Sequence, residues 1–460
     1  MSFAATEMER PILAGERHAG SSNWFQRLRA RRRDPFAGIP AAAYDRALYR
    51  QMSLTGPVVW LNDPAAIKQV LVDNVANYPK TEIERRFFVA VFGDGLLSRD
   101  GDTWRAHRAI MAPSFDPRSV AAYAPTMARE AQAFRARWDA LPAGSTIDIA
   151  RDMTGLTLKI IAQTMFSTDS DELAALIDDA VRRAQAALDV NLLDLAPFIA
   201  PLRFRARERT MRRIFASLDA ALDRLIGERE ANPQGAPADL LTRLIAAKDA
   251  DTGARMTARE VRDEVVTIFL AGHETTAAAM TWVWYLLSQH PAQEARLHAE
   301  LDHVLGGRTP GAEDVAKLPY ARMVVEEAMR LYPPAPGVSN RQARSADVID
   351  GKPIRAGEVM LISSWLTHRN PKFWPDPERF DPERFSAERS KGRPRYAYLP
   401  FGAGPRVCIG AALSMTETIL ILATLAQRYR LALASDQTIE LQQIVTLRPR
   451  GGMRMALHRR

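Results

Sequence analysis

The chain has 460 residues, 47% hydrophobic and 25% charged, which is enough apolar material for a large core and excludes wholesale disorder. One cysteine excludes a disulfide-stapled secreted scaffold, and residues 1–30 lack the basic-then-apolar order of a signal peptide, so a cytoplasmic location is expected. The formal charge of +8 would suit an anionic partner, but no zinc-finger spacing or aromatic RNA-binding motif accompanies it, and no nucleic-acid role is expected.

Arg27, Arg29, Arg31, Arg32 and Arg33 mark residues 1–35 as a basic, flexible N-terminal segment, a solvated face or tether, ahead of one domain over residues 36–460. From Pro40 to about Val72, short apolar runs broken by Gly56-Pro57 and Asn62-Asp63-Pro64 predict strands and a short helix. Asp102 to about Ile245 reads as mostly helical, with breaks at Leu141-Pro142-Ala143-Gly144 and Ala231-Asn232-Pro233-Gln234-Gly235.

Thr257-Ala258-Arg259-Glu260 is a capping box, and the helix it opens can continue to Pro291, about 33 residues or roughly 50 Å. Its apolar part, Val261 to Leu287, carries Arg262, Asp263, Glu264, His273 and Glu274, and Thr418 to Leu425 is too short, so both read as buried helices and no membrane span is expected. A second helix is predicted from Pro319 to Leu331, stopped by Pro333-Pro334. Ala343 to Ser364 alternates apolar runs with turns and reads as strands. Strand-rich material thus falls in two stretches, with most of the helical material between them.

Within the long helix, Ala271-Gly272-His273-Glu274-Thr275-Thr276 places a glycine and two β-branched residues where helix propensity disfavours them. Space and hydroxyl chemistry are the implied reasons, and the missing side chain at Gly272 would admit a planar cofactor or small ligand. His273-Glu274 also begins a zinc-protease pattern, but Ala277 stands where its second histidine is required. Glu327 and Arg330 share one helical face.

The lone cysteine sits in Phe401-Gly402-Ala403-Gly404-Pro405-Arg406-Val407-Cys408-Ile409-Gly410. Arg406 two residues away and the amides of a glycine-rich loop favour a held, partly neutralised thiolate, the chemistry of an axial haem ligand; a cysteine buried in an apolar loop is the plainer alternative.

This loop meets the pattern Phe-x-x-Gly-x-Arg-x-Cys-x-Gly in full, and the chain from about Pro40 onward resembles the cytochrome P450 family. The resemblance implies the P450 fold, mainly α with a smaller β-rich lobe, and haem b with Cys408 as its metal ligand and Phe401 and Gly410 beside it. It implies a catalytic acid–alcohol pair, Glu274 and Thr275, that delivers protons during dioxygen activation, with Ala271 and Gly272 against the cofactor. Trp104, Arg108, Arg406 and Arg341, ten residues ahead of Gly351, match haem or propionate contacts, and Arg384 completes a structural triad with Glu327 and Arg330. Phe88, Val91, Leu97, Ala335 and Val338 fall where relatives line the substrate pocket, which implies a small apolar organic substrate. Local alternatives are back-bonding for Thr275, a salt bridge for Glu274, core packing for Trp104 and surface positions for Arg341 and Arg406. His107 receives no role.

The resemblance implies a monooxygenase that inserts one atom of O2 into its substrate. The sequence contains no flavin segment and no cysteines for an iron–sulfur cluster, so electrons are expected from a ferredoxin or flavodoxin with its reductase, NAD(P)H acting only indirectly. Lys391, Arg393 and Arg395 are candidate docking bases, and a monomer is expected. A peroxide-driven peroxygenase and a non-catalytic haem sensor are the competing readings; the Glu274-Thr275 pair argues against both.

Overall fold

Turn residues and helix caps divide the chain much as its apolar periodicity predicts. The computed structural model describes residues 34–460 apart from 54–55, 168–175, 177–178, 181–182, 185, 188–198, 250–251 and 444. The basic cluster at residues 27–33 and the side chain of Val91 lie outside the described residues.

In chain order the elements used below are β1 (Leu48–Ser53), β2 (Gly56–Leu61), α1 (Glu82–Phe92), α2 (Gly101–Met111), α3 (Pro117–Asp139), β3 (Thr146–Asp148), α4 (Ile149–Phe166), α5 (Ala200–Ala231), α6 (Leu240–Ala246) and α7 (Ala258–Gln289). They continue with α8 (Pro291–Leu305), α9 (Pro319–Leu331), β4 (Arg341–Gln342), β5 (Asp347–Ile349), β6 (Lys352–Ile354), β7 (Val359–Ile362), α10 (Ala411–Ala426), β8 (Tyr429–Leu433), β9 (Leu441–Gln443), β10 (Leu447–Pro449) and β11 (Arg454–Arg459).

The predicted capping box is formed: the Glu260 amide donates to Thr257 Oγ1 at 3.3 Å, and the Thr257 amide donates to Glu260 Oε2 at 3.0 Å. From it α7 runs 32 residues, buried over most of its length and packed most extensively on α4. Trp282 ties its far end down, stacking on Tyr332 at 4.3 Å and donating its indole N–H to the Leu447 carbonyl at 2.9 Å. Helix α9 spans the predicted residues, opened by Pro319 and ended at Leu331.

The two predicted strand regions combine in one sheet of order β1-β2-β7-β4, in which β2 and β7 pair in parallel. Leu48, Val59, Leu61, Met360 and Ile362 pack beneath it in a core of their own, apart from the large helical core. Strands are not confined to two stretches, however. A second sheet, β3-β11-β8, joins residues 146–148 to the C-terminal region, which also holds the β9–β10 pair. Strand β3 is three residues long and its partner is about 300 positions away, with Asp148 opposite Arg454; a local pattern cannot register such pairing.

Helix α10 is apolar on nearly every side, as befits a helix enclosed by others, yet it buries Glu417 with one carboxyl oxygen unpartnered. Burial pushes this carboxyl up to about 8 from its ordinary 4.5. Because the folded-state value is the higher one, its contribution to stability is full below about pH 4.5 and is lost as pH climbs through about 8. The melting temperature should therefore fall between about pH 6 and pH 9 in the wild type and stay flatter in Glu417→Gln, as read by calorimetry.

Candidate active site

The cysteine loop is built around its own backbone. The Cys408 amide donates to the Phe401 carbonyl at 2.9 Å and the Val407 amide to Gly404 at 3.1 Å, closing a turn that leads into α10 at Gly410. Gly404 adopts φ +70°, and a Cβ there would collide with the Leu71 carbonyl, so this position requires glycine. Phe401 is half-buried against the helical core.

Cys408 is accessible to a water-sized probe, yet protein surrounds it closely enough for burial to push its thiol up from the ordinary value, opposed by the Gly410 amide and then by Arg108. These two observations agree if the accessible face opens on an internal hollow. The expectation that Arg406 neutralises the sulfur needs correction. Arg406 pairs with Asp100 and lies over the buried Trp104 ring, its guanidinium carbon 4.0 Å from the centroid. Arg108 is the cation that acts on Cys408, and it donates to the Val407 carbonyl at 2.7 Å. The loop alone favours a neutral thiol; the charge of a bound metal would ionise it.

On α7 the hydroxyl of Thr275 donates back to the Ala271 carbonyl at 2.8 Å, the local alternative considered for it. Glu274 accepts from the Thr446 hydroxyl at 2.7 Å and lies 3.6 Å from Arg448, so the acid is tied to the segment leading into β10. A Cβ added at Gly272 would meet only Ile161, at an ordinary 3.7 Å, so packing within the protein does not demand this glycine. The Thr276 hydroxyl is 3.2 Å from that of Ser414, joining α7 to α10 just after the cysteine loop.

A third group is cationic. Arg341 is buried, with its Nε unpartnered, and burial followed by Arg406 lowers it to about 10. Lys80 belongs to the same cluster: burial, then Arg406 and Arg341, lower it to about 7, and its ammonium reaches the Leu97 carbonyl. Sequence reasoning missed Lys80. It follows Pro79 just before the Thr81 cap of α1, and only its bridge to Arg341 in space gives it meaning. Asp100 and Glu84 are the acids that act on these bases, and burial raises the Glu84 carboxyl. Three crowded cations, one with an unsatisfied donor, are poorly compensated within the protein and fit the two propionates of a haem whose iron would meet Cys408.

The predicted triad is assembled and fully buried. Arg330 Nε and Nη2 donate to Glu327 at 2.6 and 2.8 Å, and Arg384 Nε lies 3.3 Å from the same carboxylate. Other expectations fare less uniformly. Arg393 stacks on Trp374 at 4.1 Å and donates to the Arg384 carbonyl, which commits it to the fold, whereas Lys391 and Arg395 are exposed. Phe88, Leu97 and Val338 are half-buried and Ala335 is accessible. A cleft of about 1020 Å³ between α1, α5 and the first turns of α7 contains none of these four and is lined by charged side chains such as Arg212, Asp219 and Arg262. Among the described residues no helix is long and apolar enough to cross a membrane.

A family model described as Cytochrome P450 matches residues 43–454. Cyclooctatin synthase of Streptomyces melanosporofaciens is 37% identical over 384 residues, covering 82% of this chain and 81% of its own length. Cyclooctat-9-en-7-ol 5-monooxygenase of the same organism is 38% identical over 344 residues, covering 74% and 73%. The crystal structure of the cytochrome P450DA heme domain aligns with a TM-score of 0.78 at 27% identity over 90% of each chain.

Proposed function

The chain belongs to the cytochrome P450 family, monooxygenases that use haem b and electrons from NAD(P)H passed through a reductase, and on that premise we propose that it oxygenates an apolar organic substrate with electrons from a separate ferredoxin or flavodoxin. The observation that carries this reading is the accessible Cys408 sulfur in a loop whose Arg406 belongs to the same buried cationic cluster as the unsatisfied Arg341. Cys408 would hold the iron, while Lys80, Arg341 and Arg406 would neutralise the propionates. When bound, the haem supplies the reduction of dioxygen and the oxidation of a substrate carbon.

The protein's own part is to orient the substrate and move protons. Glu274 Oε1, fixed by the Thr446 hydroxyl and 3.6 Å from Arg448, would serve as the acid of the relay and pass a proton toward the Thr275 hydroxyl. Rotation about χ1 of Thr275 would free its hydroxyl from the Ala271 carbonyl so that it could donate to a bound ligand. Thr275→Ala should uncouple turnover: product per NAD(P)H falls about tenfold to a hundredfold and hydrogen peroxide rises in its place, both measured in one reconstituted assay.

Exposed Lys391 and Arg395 would steer an acidic redox partner. The reduced carbon monoxide difference spectrum tests thiolate ligation. Comparing ferredoxin, reductase and NAD(P)H against peroxide alone separates a monooxygenase from a peroxygenase, and no turnover in either would favour a sensor. Fatty acids, terpenoids, steroids and small aromatics should be screened by ferric spin-state shift. The two Streptomyces relatives, named for cyclooctatin and cyclooctat-9-en-7-ol, are the reason to place cyclic hydrocarbon alcohols first.

A further inference from the structure

His107 lies on α2 between Trp104 and Arg108, and both of its ring nitrogens face carboxylates of α7. Nδ1 is 2.9 Å from Glu264 Oε1, and Nε2 is 3.1 Å from Glu260 Oε1. The imidazole is buried and Glu264 completely so, while Glu260 reaches the surface at 28% exposure. Each acid is fixed independently of the histidine. Glu264 Oε2 accepts the Leu96 amide at 2.9 Å; Glu260 closes the capping box of α7 and accepts from Arg99 Nη2 at 3.2 Å. A ring with a proton on each nitrogen donates to both carboxylates, whereas a ring with one proton turns a lone pair toward one of them.

The residues flanking His107 on the same helix meet the cysteine loop, Trp104 under Arg406 and Arg108 on the Val407 carbonyl. Helix α2 is thus held from two sides: by Glu260 and Glu264, fixed points on α7, and by the loop that carries Cys408. We propose that His107 is a positioning residue, a two-ended clamp that sets the height of α2 over α7 and thereby the placement of Trp104 and Arg108 against the haem. The proposal rests on the P450 reading above.

His107→Gln keeps an N–H donor for one acid but turns a carbonyl toward the other, and Glu264→Gln then supplies the N–H that this carbonyl lacks. In His107→Gln, loss of haem to an excess of a haem-scavenging apoprotein should accelerate about tenfold or more, and part of the thiolate signature in the reduced carbon monoxide spectrum should disappear. The double variant His107→Gln with Glu264→Gln should recover most of both. A role in general stability alone would lower the melting temperature without moving the carbon monoxide band. Should His107→Gln fail to fold, Glu260→Gln at the exposed end makes the same test, with a smaller acceleration expected. An unchanged haem-loss rate and band in either single variant, or a double variant no better than His107→Gln, would overturn the clamp. Wild-type protein that takes up no haem would sink the P450 reading itself, which is a separate outcome.

Discussion

Cys408→Ser is expected to abolish the thiolate band in the reduced carbon monoxide difference spectrum and to lower product formation by about three orders of magnitude or more. The substitution isolates the sulfur because, within the loop, only the Gly410 amide bears on it. The backbone bonds from Cys408 to Phe401 and from Val407 to Gly404 remain, and Gly404 keeps its fit against Leu71. A serine hydroxyl is far harder to ionise than a thiol, so iron that meets it gains neither the charge nor the electron donation of a thiolate. Stability without haem should change by less than about 0.5 kcal/mol, since no core contact is lost. Chemical denaturation of the haem-free protein measures this. A variant with an intact carbon monoxide band would show that the iron is held elsewhere.

The legibility of the chain follows the range of the interactions involved. Helices α7 and α9 could be read because their caps and stops are local: Thr257 with Glu260 at one start, Pro319 at the other, and Pro333 beyond Leu331. The Glu327–Arg330 pair was legible for the same reason, three residues apart on one turn. The resemblance placed the cysteine loop, but it could not show that Arg406 is engaged by Asp100 and that Arg108 reaches the sulfur's surroundings instead. Those partners lie about 300 positions apart, and only the packing of α2 on the loop brings them together. Lys80 and Thr446 escaped notice, and His107 was given no role, on the same ground. Each is unremarkable among its sequence neighbours and acquires a role from a residue on another element: Arg341, the two acids of α7, and Glu274. The C-terminal strands were missed because β3, β9 and β10 have only three residues each and the partners of β3 and β8 lie far along the chain or in the tail, so register comes from tertiary pairing rather than from alternation.

Arg330→Ala should be the most damaging single change outside the cysteine loop. Arg330 has no exposed surface, and besides its two bonds to Glu327 it donates to the carbonyls of His368 at 2.9 Å, Pro377 at 2.7 Å and Arg379 at 3.1 Å. Truncation leaves the Glu327 carboxylate buried with only the Asp381 amide at 2.9 Å and the Arg384 contact, and it strips three carbonyls of a donor. Removing one partner of a buried pair costs about 3–5 kcal/mol, a large part of a typical net stability of roughly 5–15 kcal/mol. Lysine cannot rescue the site, because its single ammonium does not reproduce the planar fork that reaches Glu327 and the three carbonyls together. His368 cannot take over the charge, since burial, the largest cause, and Arg369 still hold its imidazole down, and its Nε2 already accepts the Leu399 amide. The carbonyls concerned belong to the segment that leads through Arg384 to the cysteine loop, so haem content should fall before the helical core unfolds. Urea denaturation followed by far-ultraviolet dichroism and by haem absorbance measures the two events. Coincident transitions and a loss below about 1 kcal/mol would mean that the triad does not brace the loop, whereas partial recovery in a variant with Glu327 and Arg330 both replaced by apolar residues of similar volume would identify the stranded carboxylate as the main source of the damage.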